Sequence, residues 1–420
     1  MTRMKDSGNP WVREIPSDWF EKKLRYLVKL RGEKSVTTDY KKYVGLENIM
    51  SQTGQYVQTG IEVDLTENLT FEVGDILFGK LRPYLRKYWR AEFSGTASSE
   101  FVIIKGSSLN LNFLFWAIQS DSFINDVDSS TYGSKMPRAS WEYMKNIKLP
   151  FPESIEEQAK IADFLDKKVA QLDKVKSLLE EQIKTLEDYR QSLIYETITK
   201  GLDKTVPLKD SGVDWIGQIP EVWEVKNFKY VATIKDGTHD TPEYFVEGVP
   251  LITSKNLDSV QNRIDFDSAK NISYDDHIKI SQRSDVKKGD ILMPMIGTVG
   301  GATQVLVEKE FSIKNVALFK VAHDEVLSRF LYYQLNSRWT NSQLSFMMSG
   351  GVQSFVSLNM LSKVKLIIPT SEEIKKINLF LDSSVGKINQ MIAIKKDQIE
   401  NINKQRQTLI YDYVTGKRKV

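Results

Sequence analysis

Two glycine-bearing stretches come close to a phosphate-binding loop. Gly74-Asp-Ile-Leu-Phe-Gly79-Lys80 has the glycines and the lysine of a P-loop, but Leu81 stands where the loop needs a hydroxyl group for magnesium. Apolar residues at positions 76–78 would also fill the loop. A second Gly-Asp-Ile-Leu, starting at Gly289, has neither the second glycine nor the lysine through Met295. The sequence therefore predicts no nucleotide site.

The residue types of a nuclease metal site occur at Asp18, Glu21 and Lys23. These residues stand closer together than such sites usually place their acids, and Val222 replaces the aspartate in the second occurrence of this stretch. A turn is the better interpretation.

Histidine and cysteine usage limits metal and nucleophile chemistry. His239, His277 and His323 are far apart without ligand spacing, and the chain has no cysteine. There is no Gly-x-Gly-x-x-Gly and no Asn/Asp-Pro-Pro-aromatic loop, so the chain encodes neither adenosylmethionine binding nor base methylation. We find no catalytic constellation and predict a chain that is not an enzyme and holds no cofactor or metal.

A basic and aromatic segment points to nucleic acid instead. Residues 80–90 carry five positive charges and three aromatic rings without an acid. Such a segment can bind phosphates and stack on bases, although an exposed strand with extended Arg and Lys side chains would look the same. With two further polar loops, the residues of the first half predicted to bind nucleic acid are Lys41, Lys42, Lys80, Arg82, Arg86, Lys87, Lys135 and Arg138.

The corresponding loops of the second half carry much less charge. Their polar side chains could contact base edges, and glycine would let backbone amides approach phosphates. For each residue alone, an ordinary polar loop is the simpler explanation. The residues of this half predicted to bind nucleic acid are His239, Thr241, Lys255, Gly350 and Gln353.

Composition places the chain among ordinary globular proteins. Its 420 residues are 41% hydrophobic and carry a net charge of only +3, so a nucleic-acid surface would have to concentrate charge locally. No run of about 18 apolar residues and no signal-like segment at Met1 is present. We predict a cytoplasmic protein without membrane contact.

The chain is one unit written twice. Lys5-Asp-Ser-Gly recurs at Lys209, and Gly74-Asp-Ile-Leu recurs at Gly289, with about a dozen extra residues between these motifs in the second copy. A period of about 210 residues indicates a domain duplication rather than a solenoid. Short Val/Ile/Phe-rich runs alternate with turns in each copy, which predicts a mixed α+β globule.

Each copy ends in a long amphipathic helix. About 40 helical residues would extend for about 60 Å, which is longer than a 150-residue globule can cover, so an antiparallel pairing of the two helices is expected. Covering by homodimerisation is the alternative. Ile161, Val175 and Tyr189 are placed at intervening positions of the first helix. The predicted interface residues are Leu165, Leu172, Leu179, Leu186, Leu193, Leu381, Ile388, Met391, Ile402 and Leu409.

These elements define an α+β protein with internal pseudo-two-fold symmetry: two homologous globules separated by an antiparallel coiled coil of two long helices. The predicted domains are a first globule at 1–150, a central helix at 151–204, a second globule at 205–367 and a C-terminal helix at 368–420. Helix starts are expected at Ser154, with Glu157 beyond it, and at Ser371, with Glu373 beyond it.

Several motifs resemble the specificity subunit of type I restriction-modification systems. They are the Lys209-Asp-Ser-Gly-x-x-Trp-Ile-Gly-x-Ile-Pro-x-x-Trp stretch, Asp236-Gly-Thr-His-x-Thr-Pro, Gly-Asp-Ile-Leu in both copies, and the Pro-to-Phe-Leu-Asp entry to each long helix. The similarity spans both repeats. The first copy departs by having Tyr43-Val-Gly-Leu-Glu-Asn-Ile49 in the region of the Asp236 stretch.

The resemblance implies a non-catalytic DNA-recognition subunit. Each globule would read one half of a bipartite, asymmetric duplex target. The helix pair would set the spacer and dock two modification subunits, which bind adenosylmethionine and methylate adenine. Restriction subunits would use ATP and magnesium. A one-turn insertion near Lys184, matched near Glu400, should then lengthen the preferred spacer. The competing hypothesis is a coiled-coil scaffold without sequence-specific DNA binding.

Overall fold

The computed structural model describes residues 3–8, 12–36, 42–59, 67–131, 136–296, 300–348 and 355–420. The chain folds into two compact units. Unit 1 comprises Met1–Leu179 with Asp397–Val420, and unit 2 comprises Glu180–Lys396. Among the described helices, none combines the length and apolarity that crossing a membrane requires.

Unit 1 contains twelve described strands, three short α-helices, the first half of one long helix and the end of a second. The strands are β1 Met4–Asp6, β2 Glu14–Pro16, β3 Phe20–Lys23, β4 Val28–Leu30, β5 Lys34–Val36, β6 Tyr43–Val44, β7 Glu67–Phe71, β8 Ile76–Gly79, β9 Tyr88–Arg90, β10 Gly95–Ala97, β11 Phe101–Ser107 and β12 Lys148–Phe151. The helices are α1 Leu111–Ala117, α2 Asp121–Ser129, α3 Trp141–Met144 and the long α4, Ile155–Lys200.

Two four-stranded sheets form the frame of unit 1, with orders β4-β11-β8-β9 and β5-β7-β10-β6. β8 and the first half of β11 are buried throughout, as expected for Val/Ile/Phe-rich central strands. The near P-loop therefore lies in a strand, because Ile76–Gly79 pairs with β11 and β9 instead of forming an open loop.

The aspartate of each Gly-Asp-Ile-Leu holds the turn before the strand. Asp75 accepts hydrogen bonds from the Glu72 amide at 2.9 Å and from Arg31 Nε at 2.6 Å. Asp290, fully buried, accepts from two backbone amides at 3.1 Å and from Lys320 Nζ at 2.6 Å. These bonds satisfy a carboxylate that burial alone would destabilise, so the motif is structural.

Unit 2 repeats this plan. Its strands are β13 Leu208–Asp210, β14 Gln218–Pro220, β15 Glu224–Asn227, β16 Thr233–Asp236, β17 Val249–Ile252, β18 Leu257–Asp258, β19 Arg263–Ile264, β20 Lys270–Ile272, β21 Ile291–Pro294, β22 Thr303–Gln304, β23 Ser312–Ile313, β24 Val316–Lys320 and β25 Lys365–Ile368. Its helices are α5 Tyr274–Arg283, α6 Glu325–Leu335, α7 Arg338–Met348, α8 Leu358–Ser362 and the long α9, Ser371–Val414.

The first sheets of the two units match, and the second sheets differ. β16-β24-β21-β22 repeats β4-β11-β8-β9, whereas unit 2 has a three-stranded sheet of order β20-β17-β23 where unit 1 has the four-stranded β5-β7-β10-β6. The ten-residue helix α5 precedes β21, which accounts for most of the extra residues of the second copy. No helix occupies that place in the described part of unit 1.

Within unit 1, the first half of α4 packs antiparallel against the last part of α9. Phe164 and Tyr413 have ring centroids 4.5 Å apart, and Asp173 pairs with Arg406 at 3.5 Å. Leu165 and Val169 also join the core of the globule. The helix is therefore covered by its own globule and by its sister helix together.

Within unit 2, the second half of α4 pairs in the same sense with the first half of α9. Lys395 Nζ donates to Gln182 Oε1 at 2.5 Å, and Arg190 Nη1 donates to Asn389 Oδ1 at 2.6 Å. Moving forward along one helix moves backward along the other. The predicted α+β fold with two long antiparallel helices is confirmed, with the sister helix in place of a second chain.

The predicted interface residues lie mostly in the buried stripe of the helices. Met391 is 44% exposed, and its neighbour Ile392 takes the buried place. Val175 and Tyr189, each three residues after a leucine of the repeat, are also exposed. The inward-facing residue between two leucines instead lies four residues after the first, at Val169, Lys176, Ile183 and Arg190. The buried members are Leu165, Leu179, Leu381 and Ile388, and the half-buried members are Leu172, Leu186, Leu193, Ile402 and Leu409.

Each long helix ends against a tryptophan motif, the Ile-Pro-x-x-Trp sequence at residues 15–19 and 219–223. In unit 2, Gly201 (φ +72°) follows α4, and a methyl group there would meet the Trp223 ring at 3.2 Å. In unit 1, Gly416 (φ +71°) follows α9, and a methyl group would meet Pro16 at 2.5 Å. Both positions need glycine for the left-handed turn and for the close contact.

The helix starts are capped by hydroxyl side chains. The Glu157 amide donates to Ser154 Oγ at 3.3 Å, at the position expected for α4. At α9 the cap is Thr370 rather than Ser371: its hydroxyl donates to Glu373 Oε2 at 2.7 Å, and Glu373 N lies 3.4 Å from it. Thr370 precedes the helix and accepts from the Glu373 amide, and the Glu373 side chain reaches back to accept from the Thr370 amide at 3.2 Å, which is the arrangement of a capping box.

Candidate nucleic-acid interface

A backbone bridge in unit 1 joins the loop after β8 to the loop before α3. Leu81 pairs with Arg138 in an isolated antiparallel bridge. The Arg82 amide donates to the Pro137 carbonyl at 2.7 Å, and the Ala139 amide donates to the Lys80 carbonyl at 2.9 Å. Lys80, Arg82 and Arg138 therefore lie together, although they come from separate stretches of the sequence.

Arg138 forms a two-pronged ion pair at this bridge. Its Nη2 lies 2.6 Å from Glu100 Oε1, and its Nε lies 3.1 Å from Glu100 Oε2. The Arg138 side chain is 46% exposed. Glu100 is fixed in turn, because its carbonyl accepts the Lys80 amide at 2.8 Å. The guanidinium thus has a set orientation at an exposed edge.

Two other predicted cations of the segment point into the protein. Arg86, 15% exposed, pairs with Asp121 at 2.5 Å and donates to Gln407 Oε1 at 3.2 Å. Lys87 Nζ donates to the carbonyls of Leu46 and Ile49 at 2.7 and 2.8 Å, and burial lowers the pKa of its ammonium group. In this structure, both side chains hold the globule together.

The remaining residues predicted in unit 1 differ in how they are placed. Lys42 is exposed, with Nζ 4.1 Å from the centroid of the Phe93 ring. Lys41 and Lys135 lie outside the described residues. Tyr84 and Met136, on the loops that the bridge joins, are 50% and 57% exposed. Exposed apolar side chains therefore accompany Arg138 on the loops that the bridge joins.

Unit 2 has the same bridge with different side chains. Ile296 pairs with Phe355, the Val356 amide donates to the Met295 carbonyl at 3.0 Å, and the Met295 amide donates to the Asn315 carbonyl at 3.2 Å. Phe355 occupies the place of Arg138, and Asn315 that of Glu100. Gly350 and Gln353, predicted in this loop, lie outside the described residues.

His239 is held by protein partners at both ring nitrogens. Nδ1 lies 2.8 Å from Asn315 Oδ1, and Nε2 lies 3.0 Å from Asp236 Oδ2. Asp236, which is buried, also pairs with Arg283 at 2.5 Å. The predicted contact residue Thr241 accepts a hydrogen bond from Lys314. This network fixes the Asp236-Gly-Thr-His stretch beside the bridge.

An open cleft of about 390 Å³ lies beside this stretch. Both charge signs occur on its walls, so it favours neither anions nor cations by charge alone. Its lining residues are Thr238, His239, Asp240, Thr241, Pro242, Asp276, Lys279, Ile280 and Arg283.

In the polar turn before β18, the asparagine side chain bonds to the backbone of the turn and the lysine side chain is exposed. Lys255 is exposed. Asn256, 5% exposed, accepts the Thr253 amide at 2.9 Å, and Asn48 accepts the Gly45 amide at 2.8 Å in the same way. Asn256 therefore stabilises the turn, whereas the Lys255 side chain faces solvent.

The same comparison corrects the repeat alignment. β6 pairs parallel with β10, as β17 pairs parallel with β23. The stretch beginning at Tyr43 is therefore the counterpart of the one beginning at Leu251, rather than of the Asp236 stretch. The counterpart of the Asp236 stretch follows β4, because β4 pairs with β11 as β16 pairs with β24.

The sequence motifs did not predict three residues of the site: Glu100, Asn315 and Lys314. Each stands just before a buried strand, β11 or β24. Alignment of the two copies at these strands would have drawn attention to Glu100 and Asn315. Their partners, Arg138 and His239, are far away in sequence. The Leu81–Arg138 bridge brings Arg138 close to Glu100, and the pairing of Thr238 with Lys314 brings His239 close to Asn315.

No group of three or more metal-ligating side chains occurs among the described residues. Of the two residues considered as nuclease acids, Asp18 lies in a turn, as predicted, and Glu21 lies in β3, which pairs with β12. Burial raises the pKa of the Glu21 carboxyl group, which makes a charged metal ligand less favourable there.

Comparison with known proteins identifies the family of this duplicated fold. The family described as type I restriction modification DNA specificity domain matches residues 16–187 and 220–403. These segments cover most of the chain and both repeats. The chain therefore belongs to the type I restriction-modification specificity family, as its motifs indicated.

Relatives and a solved structure agree with this assignment. The MjaVIII specificity subunit of Methanocaldococcus jannaschii is 25% identical over 433 residues, covering 97% of this chain and 94% of the relative. The EcoBI specificity subunit of Escherichia coli is 22% identical, covering 69% and 63%. A structure from a study of type I R-M complex assembly aligns with a TM-score of 0.71 at 18% identity, over 96% of this chain and 99% of that chain, which shows a shared fold.

Proposed function

We propose that this chain is the non-catalytic DNA-recognition subunit of a type I restriction-modification complex. Each globule reads one half of a bipartite, asymmetric duplex target. The helix pair sets the spacer and docks two modification subunits, and restriction subunits join the complex. Adenosylmethionine, ATP and magnesium belong to these partners. Membership of the family supports the proposal, because the relatives are named specificity subunits of type I restriction enzymes.

The main support for two globules that read two different half-sites is the bridge, which occurs in both units with different side chains. Both units join the same two loops through equivalent backbone bonds. Unit 1 presents Arg138 with Glu100 there, whereas unit 2 presents Phe355 with Asn315 and His239. A common frame that carries different chemistry suits two domains that read two different sequences.

The charge distribution supports contact with a duplex at these edges. Lys42, Arg138 and Lys255 are exposed, and Lys80 and Arg82 are half-buried beside the bridge. With a net charge of only +3, the chain attracts phosphates locally rather than over its whole surface. Specificity then has to come from base contacts at the loops.

The test is selection from a pool of randomised duplex DNA by the complex assembled with its modification subunits. We expect two short conserved blocks separated by a spacer of fixed length. A scaffold would select no sequence, and a single ungapped block would contradict the two-half reading. The isolated chain should show no methyltransferase, ATPase or nuclease turnover; turnover that copurifies with it would contradict the non-catalytic role.

A further inference from the structure

We propose that Arg138 reads a guanine in the half-site of unit 1 and that Glu100 is its positioning residue. The inference rests on the proposed function and deepens it. A guanine presents two acceptors, O6 and N7, on its major-groove edge, and a guanidinium held in plane can donate to both. Glu100 supplies that hold.

The two-pronged contact fixes the plane of the guanidinium. Glu100 accepts from Nη2 at 2.6 Å and from Nε at 3.1 Å, which uses the side edge of the guanidinium. The contact directs the end edge, with Nη1 and Nη2, away from the carboxylate. This end edge has the spacing that guanine O6 and N7 require.

The backbone anchors both partners. Arg138 pairs with Leu81 across the bridge, and the amides on either side are bonded at 2.7 and 2.9 Å. The Glu100 carbonyl accepts the Lys80 amide at 2.8 Å, and its own amide donates to Ser98 Oγ at 3.2 Å. Little freedom has to be lost when a base binds, which favours discrimination.

Exposure distinguishes this pair from two arginine–carboxylate pairs in the interior of unit 1. Arg31, paired with Asp75, and Arg86, paired with Asp121, are 13% and 15% exposed at their side chains. Arg138 is 46% exposed, beside the exposed Met136. It can therefore reach a duplex while it remains paired.

Charge also assigns Arg138 to bases rather than to phosphates. Paired with Glu100, it forms a locally neutral unit, so it adds little to the non-specific attraction that phosphates exert. Unit 2 has Phe355 and Asn315 in the equivalent places, and so lacks this pair. The Arg138–Glu100 pair should therefore affect the preference for one half-site only.

The experiment compares variants of the assembled complex by selection from randomised duplex DNA and by the salt dependence of binding. Arg138→Ala should abolish the preference for guanine at one position of one half-site, a loss of roughly 5- to 150-fold in discrimination. Glu100→Gln should weaken that same preference with the target otherwise unchanged. Arg138→Lys should retain less of it than wild type, because an ammonium group cannot match the two-pronged geometry.

The matched control is Lys105→Ala, which breaks the exposed Lys105–Glu33 pair of the same unit. It should leave every base preference unchanged. Thermal melting of each complex shows whether a variant is folded. If Arg138→Ala is not folded, Arg138→Lys and Glu100→Gln still test the inference.

Three results would overturn the inference while leaving the proposed function intact. They are an unchanged guanine preference in folded variants, a change in both half-sites together, and a shallower salt slope without loss of base preference. If wild type itself selects no bipartite sequence, the proposed function fails first.

Discussion

Arginine side chains of unit 1 serve different purposes according to their burial. Arg86 reaches inward from the basic segment to Asp121 on α2 and to Gln407 on α9, so it ties the globule to the helix. Arg138 lies at the exposed bridge. Charged hydrogen bonds away from water contribute more to stability than exposed ones do, so Arg86 should matter mainly for folding.

Arg86→Ala should therefore destabilise the chain by about 1–3 kcal/mol, because it leaves Asp121 and Gln407 without their donor. Urea unfolding of the variant measures this free energy. Arg90→Ala is the matched control, since Arg90 belongs to the same segment but contacts Asn112 at the exposed surface. A variant of unchanged stability that binds DNA with a shallower salt slope would show that Arg86 contacts phosphates instead.

The sequence revealed where the basic segment lies but not which way its side chains point. A regular strand would place alternate residues on one face. The chain departs from that rule because Arg82 and Arg86 both adopt left-handed backbone angles, with φ of 51° and 55°. The turn between them sends Arg86 and Lys87 inward. Residue type and spacing cannot show this, because the turn depends on packing against α2 and α9.

At the scale of elements, the helix seam, where α4 and α9 pack against each other, contains a polar pair that occurs twice. Arg190 of α4 contacts Asn389 of α9 in unit 2, and Arg406 of α9 pairs with Asp173 of α4 in unit 1. Each arginine begins an Arg-Gln-x-Leu-Ile-Tyr motif, and the two partners occupy equivalent repeat positions. Both pairs occupy places where apolar residues would pack. Polar residues at such places favour one alignment of the helices over others.

Replacing both members of the unit 1 pair by leucine should maintain or raise stability, because a well-packed apolar pair avoids the desolvation of two charges. Asp173→Ala alone should cost about 1–3 kcal/mol: it leaves Arg406, only 6% exposed, without its counter-charge, but Asp173 itself is 27% exposed and partly screened. Urea unfolding measures both. Glu400→Ala, which breaks an exposed pair with Lys404, is the control and should change little. A double-leucine variant less stable than Asp173→Ala would contradict this account.

The outer faces of the helices carry a second repeated feature. Val175 and Leu178 of α4 are each 47% exposed, and Met391 and Ile394 at the equivalent places of α9 are 44% and 58% exposed. An apolar pair three residues apart on an exposed helix face can pack against a partner helix. Because the pair occurs twice, it suits two copies of one partner.

Under the proposed function, aspartate at both Val175 and Leu178 should reduce the modification subunits bound per chain from two to one, and aspartate at Met391 and Ile394 should do the same. The four-fold variant should bind none. Native mass spectrometry of the assembled complex gives the stoichiometry. Gln171→Asp, an exposed polar position on α4, is the control. Two subunits bound to the four-fold variant would place docking elsewhere.

Helix existence and extent followed closely from the heptad pattern, while the details of the seam did not. A seven-residue repeat of leucines does not show whether the inward-facing residue between two leucines lies three or four residues after the first. Val175 and Tyr189 are exposed, and Lys176 and Arg190 stand in the stripe, because long polar side chains can lie along a seam with their charged ends outside.

On the scale of the molecule, unit 1 is not one continuous segment of the chain. It requires residues after Asp397, and the end of α9 docks on the N-terminal tryptophan motif, where Tyr411 OH donates to the Val12 carbonyl at 3.2 Å. In unit 2, Tyr195 OH donates to the Ile216 carbonyl at 3.0 Å in the equivalent way. Repeats in the sequence therefore do not coincide with the folded units, because each globule takes helix ends from both copies.

The helix register of the structure also decides how the spacer should be tested. Gln182 contacts Lys395, so an insertion near Lys184 is matched by one near Lys395 and not near Glu400. Four residues inserted after Leu179 and after Lys396, at the boundary of the two units, lengthen both helices by about 6 Å. If the helix pair sets the spacer, the selected target should keep both half-sites and gain one or two base pairs between them, at about 3.4 Å each. The same insertion in α4 alone is the control: it shifts one seam against the other and should impair folding or binding. A doubly lengthened, folded complex that still selects the original spacer would show that something other than the helices fixes the distance between the half-sites.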